Sequence, residues 1–427
     1  MAKFHEETNS NGHVLYWLAS GEDVQKTNRI LGMDLDWTLI RPIKGKIHPL
    51  DEHDWQFMYD AEHMRAIREK LSTSYNLVIF TNQGGLLSKI SKKGGKMDVE
   101  GFKRRWHVIL ECLEREHGIK PIALVASLYD DFNRKPCCGM WEFLEGLMHS
   151  RNTFGMKIEV GRDASLYVGD MAGRKGDHSA SDLLFALNLG VPFQVPEVFY
   201  GVEGASSLTS NKSSVLIKNV LADDTQFYPH MEKVPIRISK LNAATKDEIV
   251  ATLEDKHKQS LVIFIGSPAS GKSSWYNTHL KEIAGLVYLG IDTFNGTLAK
   301  FHKEVETELK KGKNVVVDNT NGSSRAREKL VLIARDVRRE IQIIAVHFTA
   351  DKRICLYQNS VRTKVVNVCA LQGKVDCGHN VPAVAIHTYW KYFEPVDMDN
   401  EDIDVVYSIA WEPIKKVSTC SIELDIS

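Results

Sequence analysis

Two carboxylates that lie two residues apart, Asp34 and Asp36, follow the apolar run ILGM in the segment DLDWT. A short apolar run of this kind predicts a β-strand, so both side chains are expected at a strand end. There, one carboxylate can attack a phosphorus atom to form an aspartyl phosphate, and the other can protonate the leaving oxygen. The pattern therefore indicates a phosphatase in which Asp34 is the nucleophile and Asp36 is the general acid and base.

Three further residues support this interpretation because they follow in a suitable order along the chain. Thr81 ends the run LVIFT, where its hydroxyl could hold a phosphoryl oxygen, and Lys135 in RKP could offset the negative charge of nucleophile and phosphate. Asp170 ends the run SLYVGD and could bind Mg²⁺ together with Asp34 and the backbone carbonyl of Asp36. The ordered set predicts a magnesium-dependent site more specifically than the short D-x-D-x-T pattern does.

A second candidate site is the segment GSPASGKS, which fits the pattern G-x-x-x-x-G-K-[ST] between a predicted strand and a predicted helix. Its glycines let backbone N–H groups surround phosphate oxygens, and the helix N-terminus favours the negative charge. Lys272 would reach the β- and γ-phosphates of ATP, and Ser273 would bind Mg²⁺. The nucleotide-binding residues predicted from this loop are Gly266, Ser267, Pro268, Ala269, Ser270, Gly271, Lys272 and Ser273.

Two aspartates follow later apolar runs in the same half of the chain. Asp292 comes after LVYLGI, where a carboxylate could accept the proton of an attacking hydroxyl, and Asp318 closes NVVVD as a Walker-B acid would. Taken alone, each would be read as a cap or turn residue. Beside a P-loop the functional interpretation is favoured, because ligands bind at the carboxyl ends of parallel strands. This half is therefore predicted to be an ATP-dependent phosphotransferase.

Short apolar runs alternate with segments of helical periodicity in both halves of the chain. This alternation predicts an α/β fold with two domains, each a mainly parallel sheet wrapped by helices. Residues from Glu197 to about Gln259 are rich in Ser, Asn, Asp and Lys, which is typical of a surface loop or linker. The predicted organisation is a disordered tail at 1–15, a phosphatase domain at 16–200, a linker region at 201–257 and a kinase domain at 258–427.

The composition is that of an ordinary globular protein, with 43% hydrophobic and 26% charged residues and a formal net charge of −1. A balanced net charge neither supports nor excludes a nucleic-acid partner, because a local cationic groove is sufficient. No apolar run approaches the roughly 18 residues that span a bilayer. We therefore expect no signal peptide, no transmembrane segment and no membrane partner.

The complete set of motifs resembles the polynucleotide kinase 3′-phosphatase family. The resemblance implies a haloacid dehalogenase-like Rossmannoid phosphatase that removes 3′-phosphates, followed by a P-loop kinase that transfers the γ-phosphate of ATP to 5′-hydroxyls. It also implies DNA strand-break repair as the role, DNA ends at nicks, gaps and double-strand breaks as partners, RNA ends as a further candidate, and the nucleus as the compartment, with cytoplasm and mitochondrion as alternatives. The segments that carry it lie at 34–40, 80–83, 134–141, 168–174, 177–193, 266–273, 318–321 and 381–395.

Carried over by position, the resemblance assigns a transition-state role to Arg362, in QNSVR, as the arginine of a lid region. It implies a monomer without the forkhead-associated module that vertebrate members carry. Three residues depart from the family pattern. Trp37 stands where glycine is usual, Ile291 directly precedes the base where the family has arginine, and Ser360 replaces a lid arginine.

A basic segment between Lys89 and Arg105 has two interpretations, contacts to substrate phosphates or a solvated loop, and the residues alone leave both open. Two other classes of function also remain open at this stage. One is a metabolite kinase joined to a small-molecule phosphatase. The other is a non-catalytic scaffold, against which the intact Asp34, Asp36, Lys272 and Asp292 argue.

Overall fold

The computed structural model describes residues 3–44, 48–87, 97–202, 244–255, 257–374 and 380–409. The described residues form two compact units. Residues up to 202 and residues 363–374 belong to the first unit, and residues 244–362 and 380–409 belong to the second. Each unit is built on a mainly parallel sheet with helices, so the predicted two-part α/β fold is confirmed.

The first unit contains a seven-stranded sheet in the order β1-β2-β7-β6-β3-β8-β9 and a separate two-stranded pair, β4 with β5. Five neighbouring strands, β7, β6, β3, β8 and β9, run parallel to one another, whereas β1 and β2 are antiparallel to their neighbours. Its elements are β1 Phe4–Asn9, β2 Gly12–Leu18, β3 Ile30–Met33, β4 Ile40–Arg41, β5 Gln56–Phe57, α1 Arg65–Ser72, β6 Asn76–Asn82, α2 Val99–His117, β7 Ala123–Ser127, α3 Gly139–His149, α4 Arg151–Phe154, β8 Leu166–Val168, α5 Ser181–Leu189, β9 Phe193–Gln194 and α6 Pro196–Phe199.

Strand β3 is an interior strand of this sheet, between β6 and β8, and all four of its residues are buried. Hydrophobic clusters cover the two faces of the sheet, which explains why the central strands are continuous apolar runs. Helix α2 contributes one apolar face to the core through Phe102, Trp106, Ile109 and Leu113. Because β3, β6 and β8 are parallel neighbours, the residues at their carboxyl ends meet at one edge of the sheet.

The N-terminal segment differs from the prediction of a disordered tail at 1–15. Strands β1 and β2 form an antiparallel hairpin that pairs with β7 at the edge of the sheet. Ser10 and Asn11 form the turn, and Gly12 follows as the first residue of β2. Gly12 has a φ of 119°, and a Cβ atom there would collide with the carboxylate of Asp131. That carboxylate accepts a hydrogen bond from the backbone N–H of His13 at 2.9 Å. An edge hairpin exposes most of β1, so its polar residues are compatible with a strand.

The second unit contains a five-stranded parallel sheet in the order β11-β12-β10-β13-β14. Helix α11 begins in this unit, and its residues from 363 onward belong to the first unit. Its elements are α7 Ala244–Glu254, β10 Ser260–Ile265, α8 Lys272–His279, β11 Leu286–Gly290, α9 Leu298–Lys310, β12 Asn314–Asp318, α10 Ser324–Val337, β13 Gln342–Phe348, α11 Lys352–Leu371, α12 Ala383–Tyr392 and β14 Val405–Ile409.

Helix α7 corrects the predicted linker at 201–257, because residues 244–254 are helical and belong to the second unit. Ile249 and Leu253 on this helix are buried in a cluster with Val262 and Phe264 of β10, so the helix is part of the core. Residues 203–243 of the predicted linker lie outside the described residues, as does the chain after 409. Among the helices that are described, none has the length and apolar character of a membrane span.

Candidate active sites

The nucleophile predicted at Asp34 lies at the carboxyl end of β3, in a tight loop. Its backbone N–H donates to the carbonyl of Val168 on the neighbouring strand at 2.9 Å. The loop is closed by the N–H groups of Leu39 and Ile40, which both donate to the carbonyl of Leu35 at 3.0 Å. Leu35 is fully buried and anchors the loop in the core. This anchoring leaves the carboxylate of Asp34 at the sheet edge, buried but directed to other polar groups.

Lys135 occupies the centre of this first site. Its Nζ donates to Asp34 Oδ1 at 2.6 Å, to Asp182 Oδ1 at 2.7 Å and to the Tyr167 hydroxyl at 2.9 Å. Burial alone would lower the pKa of this lysine, but the carboxylates of Asp182 and Asp34 raise it overall. Lys135 is therefore held as a cation, in the place where the sequence predicted a charge-neutralising lysine.

Three carboxylates meet around that lysine. Asp34, Asp170 and Asp182 each have an oxygen within 4.8 Å of the other two. Burial raises the pKa of Asp34 to about 7, and burial together with the charges of Asp34 and Asp182 raises the pKa of Asp170 to about 8. Carboxylate oxygens are the ligands that Mg²⁺ prefers, and a cation here would offset the mutual repulsion of the three groups. The donor set therefore fits a magnesium ion.

Two of these carboxylates, Asp34 and Asp170, were predicted as metal ligands, and the structure brings them together. The third, Asp182, received no role from the sequence, although it lies in the D-x-S-x-x-D segment that resembles the family. Unlike the other site aspartates, it does not directly follow a recognisable strand. It lies in the first turn of α5, so only the fold shows that it belongs to this site. For Asp36, the predicted ligand is the backbone carbonyl, and that assignment stays a prediction.

Asp36 and Thr81 are linked by a residue that the sequence analysis did not single out. Gln83 donates from Nε2 both to Asp36 Oδ2 at 2.7 Å and to Thr81 Oγ1 at 2.9 Å. Thr81 lies near the end of β6 and is buried, and Gln83 follows the strand directly. The three side chains therefore form one hydrogen-bonded group beside Asp34.

The basic segment after Thr81 is only partly the loop that the sequence suggested. Lys103, Arg104 and Arg105 lie in helix α2, and each faces a carboxylate. Lys103 pairs with Glu6 and Glu100 at the surface, whereas Arg105 is buried. For these three residues a solvated loop is excluded, because the helix spans 99–117. The lysines at 89, 92, 93 and 96 lie outside the described residues.

The predicted nucleotide loop of the second unit connects β10 to α8. A side chain at Gly266 would crowd its neighbours, since a Cβ atom there would lie 2.6 Å from Ser270 Oγ and 3.1 Å from Phe348 Cβ. Gly271 has a φ of 92° and caps helix α8, whose first residue is Lys272. Ala269 also has a positive φ, 62°, which is unusual for a residue other than glycine. The loop thus places backbone N–H groups at a helix N-terminus, as phosphate binding requires.

Lys272 donates from Nζ to the backbone carbonyls of Gly266 and Ser267, both at 2.9 Å. Burial lowers its pKa, and the charges of Asp318 and Asp292 offset that effect only in part. Asp318 Oδ2 accepts hydrogen bonds from Ser273 Oγ at 2.6 Å and from the Tyr288 hydroxyl at 2.5 Å. Ser273 and Asp318 are thus in contact, as a shared Mg²⁺ site would need. Tyr288 is a further member of this site that the sequence did not indicate.

Asp292 follows β11 and is exposed, in contrast to the buried Asp34. Arg362 on α11 is partly buried, and burial lowers its pKa while the charge of Asp292 acts in the opposite direction. Its Nη2 donates to Asn359 Oδ1 at 2.8 Å. The predicted base and the predicted lid arginine therefore lie within electrostatic reach of each other and of Lys272.

A buried Asp–Lys–Asp site on one parallel sheet and a P-loop on another define a phosphatase joined to a P-loop phosphotransferase. The comparisons with known proteins agree. Residues 29–200 match the model of the polynucleotide kinase 3 phosphatase family, and residues 261–369 match that of an AAA domain. The chain is 30% identical over 348 residues to the bifunctional polynucleotide phosphatase/kinase of Schizosaccharomyces pombe, which covers 81% of this chain and 73% of that protein.

Two further relatives match a smaller share of the chain. The polynucleotide 3′-phosphatase of Saccharomyces cerevisiae is 30% identical over 40% of this chain and 87% of its own length. The polynucleotide 3′-phosphatase ZDP of Arabidopsis thaliana is 28% identical over 44% of this chain and 26% of its own length. The chain belongs to the family of bifunctional polynucleotide phosphatase/kinases. The predicted family and the predicted enzyme class, a phosphatase with a P-loop kinase, are confirmed.

Proposed function

We propose that this chain removes 3′-phosphates from polynucleotide ends and phosphorylates their 5′-hydroxyls, using Mg²⁺ and ATP. The observation that carries the proposal is the contact of Lys135 with both Asp34 and Asp182 beside Asp36, in a chain that also holds a complete P-loop. The similarity to the Schizosaccharomyces pombe bifunctional enzyme over most of both chains supports the polynucleotide substrate.

In the proposed phosphatase reaction, Asp34 attacks the phosphorus atom through Oδ2, because Lys135 holds Oδ1. The bond between phosphorus and the 3′-oxygen breaks, and Asp36 gives its proton to that oxygen. Water then attacks the aspartyl phosphate, Asp36 takes up a proton, and inorganic phosphate leaves. Thr81 Oγ1 would hold a phosphoryl oxygen during both steps.

Mg²⁺ bound by Asp34, Asp170 and Asp182, with the Asp36 carbonyl, would supply the positive charge that three carboxylates and a phosphate require. Lys135 is the protein group that supplies positive charge here, since it is buried and hydrogen-bonded to two of the carboxylates. The raised pKa values of Asp34 and Asp170 support this assignment, because ionising both costs free energy unless a cation is nearby.

In the proposed kinase reaction, the loop 266–273 holds the phosphates of ATP, with Lys272 on the β- and γ-phosphates. Ser273 and Asp318, which are hydrogen-bonded to each other, would hold the magnesium that accompanies ATP. Asp292 would accept the proton of the 5′-hydroxyl. Arg362, within electrostatic reach of Asp292, would stabilise the charge that develops on the transferred group.

The finer parts of the proposal rest on the family resemblance of the sequence motifs. A role in DNA strand-break repair, DNA ends at nicks, gaps and double-strand breaks as substrates, and a nuclear location would suit a bifunctional polynucleotide phosphatase/kinase. RNA ends are a second substrate class of the same chemistry. The 3′-phosphatase relatives support polynucleotide ends over small metabolites for the first unit.

The test is a nicked duplex that carries a 3′-phosphate and a 5′-hydroxyl at the nick, incubated with the protein, Mg²⁺ and ATP. Mass spectrometry of the two strands should show loss of the 3′-phosphate and gain of a 5′-phosphate. If neither strand changes, the proposed function is wrong. Competition by excess sugar phosphates, with no effect of the duplex on their hydrolysis, would instead support a metabolite phosphatase.

A further inference from the structure

Arg105 is a charged residue in the phosphatase unit to which the proposed reaction assigns no role. It lies on the buried face of α2, and its side chain is 1% exposed. None of its three guanidinium nitrogens has a hydrogen-bond partner among the described residues. Its Nη1 lies 3.7 Å from Asp36 Oδ1, the predicted acid's oxygen. A buried guanidinium without hydrogen bonds costs several kcal/mol, so its presence calls for an explanation.

The carboxylate of Asp36 is contacted in two different ways. Oδ2 accepts the hydrogen bond from Gln83 Nε2 at 2.7 Å, whereas Oδ1 has no hydrogen-bond partner among the described residues and faces Arg105. Gln83 is itself fixed, because its backbone N–H donates to the carbonyl of Ser127 at 2.7 Å and its side chain also reaches Thr81. The carboxyl plane of Asp36 is therefore defined by Gln83 on one oxygen and by the charge of Arg105 near the other.

A purely structural role for Arg105 is a poor explanation. The neighbouring residues on the same helix face are apolar, and Phe102 lies 5.3 Å from the guanidinium carbon. Replacing a buried ion pair by well-packed apolar residues is often neutral or stabilising. Asp54 contributes a second negative charge towards Arg105 but accepts its own hydrogen bonds from backbone N–H groups. The hydrogen-bond geometry therefore leaves Asp36 as the group on which Arg105 acts.

We infer that Gln83 and Arg105 are positioning residues that orient the Asp36 carboxyl towards the leaving 3′-oxygen. The inference rests on the proposed phosphatase function and names two residues through which its acid is held. Neither side chain touches the substrate in this account, since the guanidinium is buried. Both residues affect the reaction rate only when the leaving oxygen must be protonated.

This dependence on the leaving group separates positioning from folding. When the leaving group is an alcohol, the 3′-oxygen must be protonated as the bond to phosphorus breaks. When the bridging oxygen is replaced by sulfur, a thiolate can leave without a proton. The value of kcat/KM covers the steps up to phosphorylation of Asp34, so comparing it for two oligonucleotides that differ only in this atom isolates the protonation step.

The experiment measures kcat/KM for an oligonucleotide with a 3′-phosphate and for the same oligonucleotide with a 3′-bridging sulfur, in the full chain. For Arg105→Met and Gln83→Met we expect the oxygen substrate to lose at least about tenfold more than the sulfur substrate, because a positioned acid contributes about 10²–10⁴-fold. Arg105→Lys should recover part of the oxygen-to-sulfur ratio. Arg104→Met is the matched control, since Arg104 is the adjacent exposed arginine paired with Glu52.

Each outcome decides the inference. Equal losses on the two substrates would show that the variants damage the fold or substrate binding, and the inference would be wrong. If the oxygen-to-sulfur ratio of kcat/KM is unchanged in Arg105→Met alone, Arg105 is not a positioning residue and the inference holds for Gln83 only. If Arg105→Met does not fold, the Arg105→Lys and Gln83→Met ratios carry the same comparison. A wild-type protein that is inactive on both substrates would contradict the proposed phosphatase, whereas an active wild type with insensitive variants would contradict this inference alone.

Discussion

The two active sites each centre on a buried lysine, but the lysines are held in opposite ways. Lys135 donates to the carboxylates of Asp34 and Asp182, to the Tyr167 hydroxyl and to the carbonyl of Phe80 at 3.0 Å. Lys272 donates to two backbone carbonyls of its own loop. Accordingly the pKa of Lys135 is raised, whereas burial lowers the pKa of Lys272.

This difference concerns how far the charge of each lysine is compensated before a phosphate group binds. The phosphatase site is assembled by the protein's own opposite charges, so the lysine is already compensated before a substrate arrives. The kinase loop leaves its lysine undercompensated, and a polyphosphate would supply the missing negative charge. The predicted base Asp292 is also exposed, whereas the predicted nucleophile Asp34 is buried. The first site depends on internal ion pairs, and the second depends on its ligand.

The strongest test of that contrast is the pair Lys135→Met and Lys272→Met. Lys135→Met leaves two buried carboxylates unpaired, so we expect the first unit to lose about 3–5 kcal/mol of stability at pH 8. Lys272→Met removes a buried cation that has no carboxylate bonded to it, so the second unit should change by no more than about 1 kcal/mol. Hydrogen exchange measured by mass spectrometry follows each unit separately. Equal losses in the two variants would contradict the comparison.

A second prediction concerns pH and Mg²⁺. The pKa of Asp34 is raised to about 7 and that of Asp170 to about 8, so between pH 4 and 8 the folded metal-free protein holds protons that the unfolded chain releases. Its free energy of unfolding should therefore fall as pH rises through this range. Mg²⁺ favours the ionised carboxylates, so it should raise the melting temperature of the first unit by about 5 °C or more at pH 8 and by less at pH 5.

The control for this pH dependence is Asp170→Asn, which removes one of the three carboxylates. In this variant both the fall in stability with pH and the Mg²⁺ effect should shrink. Thermal unfolding in the presence of a chelator and of Mg²⁺ measures both quantities. A melting temperature of the first unit that does not depend on Mg²⁺ at pH 8 would contradict the assigned metal site.

The smallest predicted effect concerns backbone conformation in the loops that follow β3 and β10. Each unit has one non-glycine residue with a positive φ there, Trp37 at 63° beside Asp36 and Ala269 at 62° in the P-loop. Ala269→Gly should stabilise the second unit by about 0.5–1 kcal/mol, because glycine adopts this conformation without steric cost. Ala299→Gly, at an exposed position within helix α9, should destabilise it by about 1 kcal/mol. Denaturant unfolding of the second unit distinguishes the two signs.

The sequence predicted those site residues that end strands or form a contiguous loop. Asp34, Thr81, Asp170 and the loop 266–273 are predictable from the sequence because parallel strands bring their carboxyl ends to one edge. Asp182 and Gln83 were missed because neither stands within a recognisable pattern of charge at a strand end. Tyr288 was missed because a tyrosine in an apolar run looks like a core residue. Their roles depend on distances between elements, which one sequence does not give.

Two parts of the fold were mispredicted for related reasons. The polar composition of the first residues suggested disorder, but Ser10 and Asn11 form the two-residue turn of an edge hairpin. The helix at 244–254 lay beside a polar stretch, and only burial of Ile249 and Leu253 shows that it belongs to the core. In both cases tertiary contacts stabilise a segment whose local composition favours a loop.

The most direct measurement compares Asp34→Asn and Lys272→Met on the same nicked duplex, with both ends followed at once. Asp34→Asn should lower 3′-phosphate removal by at least about 10³-fold and leave 5′-phosphorylation within about twofold of wild type, and Lys272→Met should do the reverse. This outcome is expected because the two sites use separate lysines, carboxylates and sheets. Loss of both activities from either single change, in a protein that remains folded, would contradict two independent centres.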